Sequence, residues 1–263
     1  MGITENKFNT SDNFFTTEEH GLLAVLRIKE QRGLFGDTIE QMELLWSYLE
    51  RIEKSKRKLL LILMPRDFLR PEDMKEFWFL VQDVRERREA QEHTKSSWDL
   101  IRKENAFHHF AAVIRRIDTF VICAFQGETI LSFLGIPLVC DYRLTTHDSR
   151  FRSCCIEAGL PPGGAFPWFL SRYVGQAFAS RILYNEGDIS AEQMREMGVV
   201  NRVVESENLE KAAFATAQRF AQLPTTGLIA AKRLMNATHL SLEEYLDLEE
   251  KELERCLYAA RRD

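Results

Sequence analysis

The sequence predicts an α/β protein whose parallel sheet is covered by helices. Two short apolar runs, Leu22–Ile28 and Leu59–Met64, are typical of buried strands. Between them, Thr38 and Gln41 have the spacing of a capping box, which opens a helix. The apolar residues of this helix fall at helical spacing: Met42, Leu45, Trp46, Leu49 and Ile52. A strand, a helix and a second strand in succession form a βαβ unit, which places its two strands in parallel.

The elements downstream continue this alternation. The pattern from Asp73 to Arg116 is helical, with a charged middle over Val84–Asn105. Both signs of charge occur in that middle, which indicates a solvated face rather than a site for an anionic ligand. Three more strands are expected at Phe120–Phe125, Tyr142–Thr146 and Val199–Val204.

Helix signals dominate the last quarter of the chain. Ser190 and Gln193 form another capping box, and Gly198 is placed to end that helix. After Pro224 the pattern is helical to the end, and Ser241 caps a final amphipathic helix. We therefore expect a core over 1–204, whose first twenty residues show no clear period, and a helical region over 205–263.

Composition excludes several classes of protein. The 263 residues (30.6 kDa) are 45% hydrophobic and 29% charged, which is typical of a folded globular chain. The net charge of −5 argues against a general nucleic-acid binder, and no apolar run is long enough for a membrane span. The start lacks a signal-peptide pattern, which predicts a cytoplasmic protein. The five cysteines have neither disulfide-framework nor metal-ligand spacing. They are Cys123, Cys140, Cys154, Cys155 and Cys256.

Several motifs in Phe120–Val204 occur in the order and spacing of a known family. An apolar strand ends in Gln126-Gly127, and Cys140-Asp141-Tyr142-Arg143 follows. Five residues then fall in register: Phe151, Gly159, Pro162, Gly163 and Gly164. This pattern resembles the crotonase superfamily, the enoyl-CoA hydratase/isomerase group, and Leu59–Phe77 and Ile182–Val204 extend the resemblance. It implies a β/α spiral core, with C-terminal helices that build a homotrimer or a dimer of trimers.

The resemblance also implies an oxyanion hole made by two main-chain amides. Donors already aimed at the thioester oxygen stabilise the charge that develops as an enolate forms. The matching positions are Glu72 and Ser132. The substrate would be an acyl-CoA or an acyl-carrier-protein thioester, with no further cofactor. Around these positions the chain departs from the family, because Pro71 replaces a glycine and Leu131-Ser132-Phe133 replaces three glycines.

The two glutamates that hydratases of this family use as acid and base are missing. Their positions are occupied by Gly135 and Cys155, and the gap-free spacing leaves no room for another register. Cys155 is either a base or nucleophile facing the thioester or a small packing residue. Glu157 and Glu128 are each either a relocated acid or a surface carboxylate.

Other residues near the expected cleft have open roles. His108 and His109 lie on one helix, where at most one faces inward, and His147 is expected in an exposed turn. The aromatics Trp168 and Phe169 either line an acyl tunnel or belong to the core. Arg66 and Arg70 either pair with CoA phosphates or lie in a solvated loop.

Three functions fit this sequence. The first is an enzyme that forms an enolate but acts as a lyase, a decarboxylase or an isomerase rather than a hydratase. The second is a binder of acyl-CoA or acyl-carrier protein without catalysis, and the third is a structural subunit with a filled pocket. A titratable group about 3 Å from the reacting carbon distinguishes the first from the others.

Overall fold

A six-stranded sheet forms the centre of the computed structural model, which describes residues 14–29, 39–55, 57–68, 95–152, 156, 162, 164–184, 187–237 and 242–259. The strands are β1 (Phe15–His20), β2 (Leu23–Ile28), β3 (Leu59–Arg66), β4 (Phe120–Gln126), β5 (Glu128–Ile130), β6 (Tyr142–Thr146), β7 (Arg150–Arg152), β8 (Asp188–Ser190) and β9 (Arg202–Val204). The α-helices are α1 (Ile39–Lys54), α2 (Lys95–Arg116), α3 (Gly135–Val139), α4 (Phe166–Leu183), α5 (Ala191–Glu196), α6 (Leu209–Ala221), α7 (Thr225–Asn236) and α8 (Leu242–Ala259). Short 3-10 helices span Leu131–Leu134 and Ser206–Asn208.

The strand order of the large sheet is β1-β2-β3-β4-β6-β9. All its pairings are parallel except β1 with β2, which form an antiparallel hairpin. A second sheet has the order β5-β7-β8. The α/β class with a parallel sheet is therefore confirmed.

Helices cover both faces of the large sheet, which explains why its strands read as continuous apolar runs. In β3, Leu60 and Ile62 pack into the cluster that includes α1 and α2. Leu59, Leu61 and Leu63 pack into the opposite cluster with α6. None of the helices described is long and apolar enough to cross a membrane.

The strands and helices expected from the sequence are present with small shifts at their ends. β6 has the predicted bounds, β3 and β4 extend slightly further, and the tail expected over Val199–Val204 is a strand only over Arg202–Val204. Of the helical stretch expected from Asp73 to Arg116, α2 lies within the described residues. Thr38 and Ser241, the expected caps of α1 and α8, lie outside them.

The capping box of α5 is confirmed in atomic detail. The Gln193 amide donates to Ser190 Oγ (3.2 Å), and the Ser190 amide donates to Gln193 Oε1 (2.8 Å). Gly198 ends this segment with φ of 76°, a conformation that favours glycine.

Four strands were absent from the sequence prediction. β1 lies in the segment taken as aperiodic, and it has only one clearly apolar residue, Phe15. β5, β7 and β8 have three residues each, too few to show a period of two. Pairing with a neighbouring strand, rather than local pattern, makes these segments extended.

A buried ion pair closes the amino edge of the large sheet, where its parallel strands begin. Lys232 of α7 places its Nζ 2.9 Å from Asp141 Oδ2 and donates to the carbonyl oxygens of Ile114 (2.8 Å) and Thr119 (2.7 Å). The Val121 amide also donates to Asp141 Oδ2 (2.8 Å). Burial raises the pKa of Asp141, while the Lys232 charge acts in the opposite direction. The pair ties α7 to the starts of β4 and β6.

Candidate active site

The carboxyl ends of β3 and β4 lie side by side. The two strands are parallel, and their pairing runs from Leu59 with Phe120 to Arg66 with Gln126, with a shift in register after Leu63. The segments that the resemblance assigns to the two oxyanion amides follow these strands. Neighbouring parallel strands end at the same edge of a sheet, so the segments that follow β3 and β4 begin close together.

A turn at Asp67 fastens the end of β3 to the segment after β4. Asp67 adopts φ of 55°, its amide donates to Gln126 O (3.0 Å), and its Oδ1 accepts from the Glu128 amide (2.9 Å). The Thr129 hydroxyl donates to the carbonyl oxygen of Phe68. The chain therefore leaves β3 in a fixed direction.

Gly127 fits this junction for two independent reasons. Its φ is 85°, which side chains with a Cβ rarely adopt. A Cβ built on Gly127 would also lie 2.0 Å from Asp67 Oδ1. The Gly127 amide donates to Ser149 Oγ (3.1 Å), which holds the turn from the other side. The Gln-Gly step singled out in the sequence is thus required by conformation and by contact.

The resemblance assigns the first hydratase glutamate to Gly135, where the structure has no space for a side chain. Gly135 begins α3, a short helix whose five residues are all buried. A Cβ on Gly135 would lie 1.8 Å from the carbonyl oxygen of Gly164 and 2.9 Å from Cζ of Phe107. Main-chain atoms at 1.8 Å leave no rotamer for a glutamate. The structure therefore adds a steric reason to the missing carboxylate.

Gly164 reaches Gly135 because the chain makes a left-handed turn before α4. Gly164 and the following Ala165 have φ of 65° and 52°. Neither Gly164 nor Phe107 was assigned to the site from the sequence. The Gly163-Gly164 step, in register with the resemblance, was the available signal for Gly164, whereas Phe107, buried on α2, had none besides its apolar character.

The predicted site residues fall mostly outside the described part of the chain. Glu72, Arg70, Cys155 and Glu157 lie outside the described residues. Ser132 lies in the 3-10 helix Leu131–Leu134, which places its amide within the segment that follows β5; its side chain is also outside what is described.

Arg66 is described, and it has a charged partner. Its guanidinium contacts the carboxylate of Asp148, and its Nε lies 3.7 Å from Asp67 Oδ2. Asp148 also accepts hydrogen bonds from Ser206 (2.6 Å) and Thr146 (2.5 Å). Partial burial alone would raise the pKa of Asp148, but the hydrogen bonds from Ser206, Thr146 and Arg66 lower it below its usual range.

Several alternative candidates are at the surface. His108, His109 and Glu128 are exposed, so no inward histidine arises from α2 and the surface interpretation of Glu128 is confirmed. His109 packs edge-on against Trp46, with ring centroids 4.7 Å apart. The exposed turn predicted for His147 is confirmed, and its Nδ1 lies 2.9 Å from Glu192 Oε1.

The two aromatics considered for an acyl tunnel differ from each other. Phe169 is buried in the core, whereas Trp168 is 40% exposed. Among the described residues, no group of three histidine, cysteine or acidic side chains has the geometry to hold a metal ion.

The protein has an α/β fold in which β3 and β4 end side by side, and its candidate site contains a buried glycine at the start of α3. The family model described as enoyl-CoA hydratase/isomerase matches residues 83–261, well over half of the chain. This chain belongs to the enoyl-CoA hydratase/isomerase family.

Curated relatives support this assignment over part of their length. The chain is 31% identical over 140 residues to the probable enoyl-CoA hydratase EchA12 of Mycobacterium tuberculosis, covering 52% of this chain and 49% of that protein. It is 32% identical over 147 residues to 1,2-epoxyphenylacetyl-CoA isomerase of Escherichia coli, covering 56% of each. The chain thus spans about half the length of the curated relatives it matches.

Solved structures match over nearly the whole chain. An enoyl-CoA hydratase from Bacillus anthracis superposes with a TM-score of 0.77 at 18% identity, covering 93% of this chain and 91% of that chain. DspI of Pseudomonas aeruginosa superposes with a TM-score of 0.76 at 21% identity, covering 98% and 100%. At these identities the likeness shows the fold, which is the crotonase-like α/β fold that the sequence predicted.

Proposed function

We propose that this chain acts on an acyl thioester through an enolate or oxyanion and is a lyase, decarboxylase or isomerase rather than a hydratase. The thioester carrier is CoA or an acyl-carrier protein. The oxyanion is held by the main-chain amides of Glu72 and Ser132. Membership of the family supports the acyl-CoA class of substrate.

The observation that argues against hydration is the lack of space for a side chain at Gly135. Hydration needs an acid and a base on opposite sides of a bound water. The contacts of Gly164 and Phe107 with Gly135 exclude a carboxylate from the first of these positions. Cleavage, decarboxylation and double-bond isomerisation need fewer carboxylates, because the oxyanion donors carry most of the stabilisation of the enolate.

The hydrogen bonds between the ends of β3 and β4 support this proposal. Asp67 and Phe68 are tied to Gln126, Glu128 and Thr129, so both oxyanion segments start from a rigid junction. Donors that are already oriented do not reorganise when charge develops, and this is why such donors favour the transition state. Leu131 and Leu134, in the segment that follows β5, are buried in the core.

Proton transfer is assigned to Cys155 or Glu157, and phosphate contacts of a CoA carrier to Arg66 and Arg70. Arg66 is half exposed and shares its charge with Asp148, so it is able to turn toward a phosphate at the edge of the site. We expect turnover to fall in Cys155→Ala or in Glu157→Gln. Turnover that survives both substitutions would remove both residues from the mechanism.

A substrate panel tests the proposal directly. The purified chain is incubated in deuterium oxide with a saturated acyl-CoA series, with malonyl-CoA and methylmalonyl-CoA, and with 2-enoyl- and 3-enoyl-CoA. Mass spectrometry then detects exchange at the α-carbon, loss of carbon dioxide, double-bond migration or addition of water. We expect at least one of the first three. Hydration of 2-enoyl-CoA as the main reaction would contradict the proposal.

Two substitutions at Ser132 separate the amide from the side chain. Ser132→Pro removes the N–H donor, and we expect kcat to fall about 10²–10³-fold. Ser132→Ala keeps the donor and is expected to retain activity. Thermal unfolding of both variants checks that each still folds. Equal activity of Ser132→Pro and Ser132→Ala would exclude an oxyanion role for this amide.

A non-catalytic acyl-CoA binder or structural subunit is the second candidate. The close packing of Gly164 and Phe107 on Gly135 is compatible with it, because a filled pocket also leaves no space there. Calorimetric titration with CoA, acetyl-CoA and C4–C8 acyl-CoA distinguishes the two forms of this candidate. Binding that strengthens with acyl length, without turnover of the panel, would indicate a binder, and no binding would indicate a structural subunit.

We also propose that the chain forms a homotrimer or a dimer of trimers through its C-terminal helices. Three large apolar side chains of α7 and α8 are exposed, namely Met235 (77%), Leu246 (50%) and Leu253 (59%). Burial of these side chains against another copy removes apolar area from water. Sedimentation equilibrium should give three or six times the chain mass, and a monomer would contradict this part of the proposal.

A further inference from the structure

Two arginines share one tryptophan ring at the surface. Trp168 lies in the first turn of α4, and the guanidinium of Arg172, one turn later, is 3.6 Å from its ring centroid. The guanidinium of Arg115, near the end of α2, is 4.9 Å from the same centroid. The indole remains 40% exposed. Two positive charges are thus held together on a rigid aromatic support.

The hydrogen bonds of these arginines leave most of their donors unused. Arg172 Nη1 donates to the carbonyl oxygen of Trp168 (3.0 Å), and Arg115 Nη2 donates to that of Asn236 (3.0 Å). Within the described part of the chain, neither guanidinium forms an ion pair with a carboxylate. A guanidinium has five N–H donors in a planar fork, so each arginine retains donors for another acceptor.

The residues around Arg115 and Arg172 leave this part of the surface positively charged. α4 contains no acidic residue. The carboxylate whose charge acts on Arg115 is that of Asp141, and it is paired with Lys232. Tyr173 is the other titratable group that faces Arg115. Burial lowers the pKa of Arg115, and the charge of Arg172 lowers it further. An anion placed between the two guanidiniums would relieve that repulsion.

We infer that Arg115, Arg172 and the edge of Trp168 form a binding site for a phosphate group. A phosphate monoester carries a charge of about −1.5 to −2 at neutral pH and offers three acceptor oxygens, which matches two guanidiniums. A carboxylate carries one charge and two oxygens, so it satisfies one fork but not both. The N–H groups at the edge of the planar arginine fork bind phosphate oxygens in pairs, while a face of the guanidinium stacks on the aromatic ring.

The inference goes beyond the proposed function. Arg115 lies away from the proposed catalytic junction, whereas Trp168 follows Gly164, which contacts Gly135, by four residues. Phe107, which contacts Gly135, and Arg115 are eight residues apart on α2, which corresponds to about 12 Å along the helix axis. α2 leads into the start of β4, so Arg115 lies at the amino edge of the sheet. The strand ends that form the junction are at the opposite edge.

Nuclear magnetic resonance of the indole N–H groups tests the site in the full chain. The chain has four tryptophans, and Trp168→Phe identifies the Trp168 signal. Inorganic phosphate is titrated at constant ionic strength, with sodium chloride as the reference. We expect a saturable shift of the Trp168 signal that chloride does not produce. The absence of a phosphate-specific shift would overturn the inference.

Matched substitutions locate the binding. Arg172→Gln and Arg115→Gln should each weaken phosphate binding about tenfold or more, because each removes a charge-assisted fork. Arg195→Gln is the control, since Arg195 is exposed and paired with Glu192 (2.8 Å). An equal loss in Arg195→Gln, or full binding in the two glutamine variants, would overturn the site. Arg115→Lys keeps the charge and should lose less, which serves if Arg115→Gln fails to fold.

Two further measurements identify the source of the phosphate and test the competing explanation, which is a contact between copies of the chain. Adenosine 3′,5′-bisphosphate and O-phosphoserine are titrated beside inorganic phosphate. Tighter binding of either supports the site and assigns the phosphate to a nucleotide or to a modified side chain, and similar affinities support a site for free phosphate. If Arg172→Gln changes the sedimentation coefficient while phosphate produces no shift, the surface is a contact between copies and the inference is overturned.

Discussion

The two edges of the central sheet are built in different ways. At the amino edge, Lys232 and Asp141 form a buried ion pair whose remaining hydrogen bonds are also satisfied inside the protein. At the carboxyl edge, glycines dominate the contacts, with Gly127 pressed against Asp67 and Gly135 against Gly164. An ion pair holds the amino edge, whereas at the carboxyl edge glycines let Asp67 and the Gly164 carbonyl approach closely.

The difference separates stability from chemistry. A buried charge that loses its partner is costly, so the amino edge tolerates little change. The glycines at the carboxyl edge let main-chain segments approach closely, which positions amides rather than side chains. An edge of this kind leaves no space for a side chain at Gly135.

Substitution of Lys232 should have the largest effect. Lys232→Met leaves Asp141 buried without its cation, and we expect the free energy of unfolding to fall by about 3–5 kcal/mol. Chemical denaturation measures this value. The double substitution Lys232→Met with Asp141→Asn should recover part of the loss. A loss below about 1 kcal/mol in the single variant would mean that the pair contributes as little as an exposed one.

A methyl group at position 135 should have the next largest effect. Gly135→Ala forces the Gly164 carbonyl or Phe107 to move, and we expect a loss of about 3 kcal/mol. Gly227 in α7 is the control, because a Cβ there meets nothing within 4 Å and alanine favours a helix. Stability should be unchanged or higher in Gly227→Ala. If Gly135→Ala is equally harmless, the position is open and a carboxylate there is sterically allowed.

Gly127 and Gly21 separate the cost of conformation from the cost of contact. Both have positive φ, of 85° and 59°, but only at Gly127 does a Cβ meet other atoms. We expect Gly21→Ala to cost about 1 kcal/mol and Gly127→Ala about 2 kcal/mol or more. Equal losses would show that Asp67 moves aside freely and does not fix the end of β3.

The smallest expected effect concerns pH and Asp148. Its pKa is lower in the folded chain than in the unfolded chain, so its contribution to stability is full above the unfolded value of about 3.9 and is lost as the pH falls below it. Asp148→Asn should therefore flatten the fall in stability below pH 4, relative to the unmodified chain. Glu207→Gln, a change in an exposed carboxylate, provides the control. Parallel pH profiles for Asp148→Asn and the unmodified chain would contradict this linkage.

Much of the fold was predictable because the large sheet is buried on both faces. Continuous apolar runs such as β3 and β4 are visible in one sequence, and the capping box at Ser190 and the glycine at 198 have local physical causes. β1 and the three-residue strands were missed because they become strands only through pairing. A pairing partner far along the chain leaves no local signal.

The sequence predicted which hydratase carboxylates are missing from the candidate site, but it did not predict which residues contact each other there. The resemblance predicted that Gly135 and Cys155 replace the expected carboxylates, since a missing residue type is visible without coordinates. It did not show that Asp67 holds Gly127 in place, or that Arg115 of α2 and Arg172 of α4 meet on Trp168. The contacts of Asp67 with the Gly127 turn and of Arg115 with Trp168 join segments more than fifty residues apart. The contact of Arg172 with Trp168 depends on which way that side of α4 is oriented.

The sequence by itself determined the class of fold and the family resemblance, and it predicted the absence of the hydratase glutamates. Apolar runs, glycine steps and motif spacing are local properties, and each has a local physical cause. Only the tertiary structure decided that the space at Gly135 is filled by Gly164 and Phe107, and that Lys232 is buried against Asp141. Which atoms fill a space depends on how distant segments pack, and packing is a property of the whole chain.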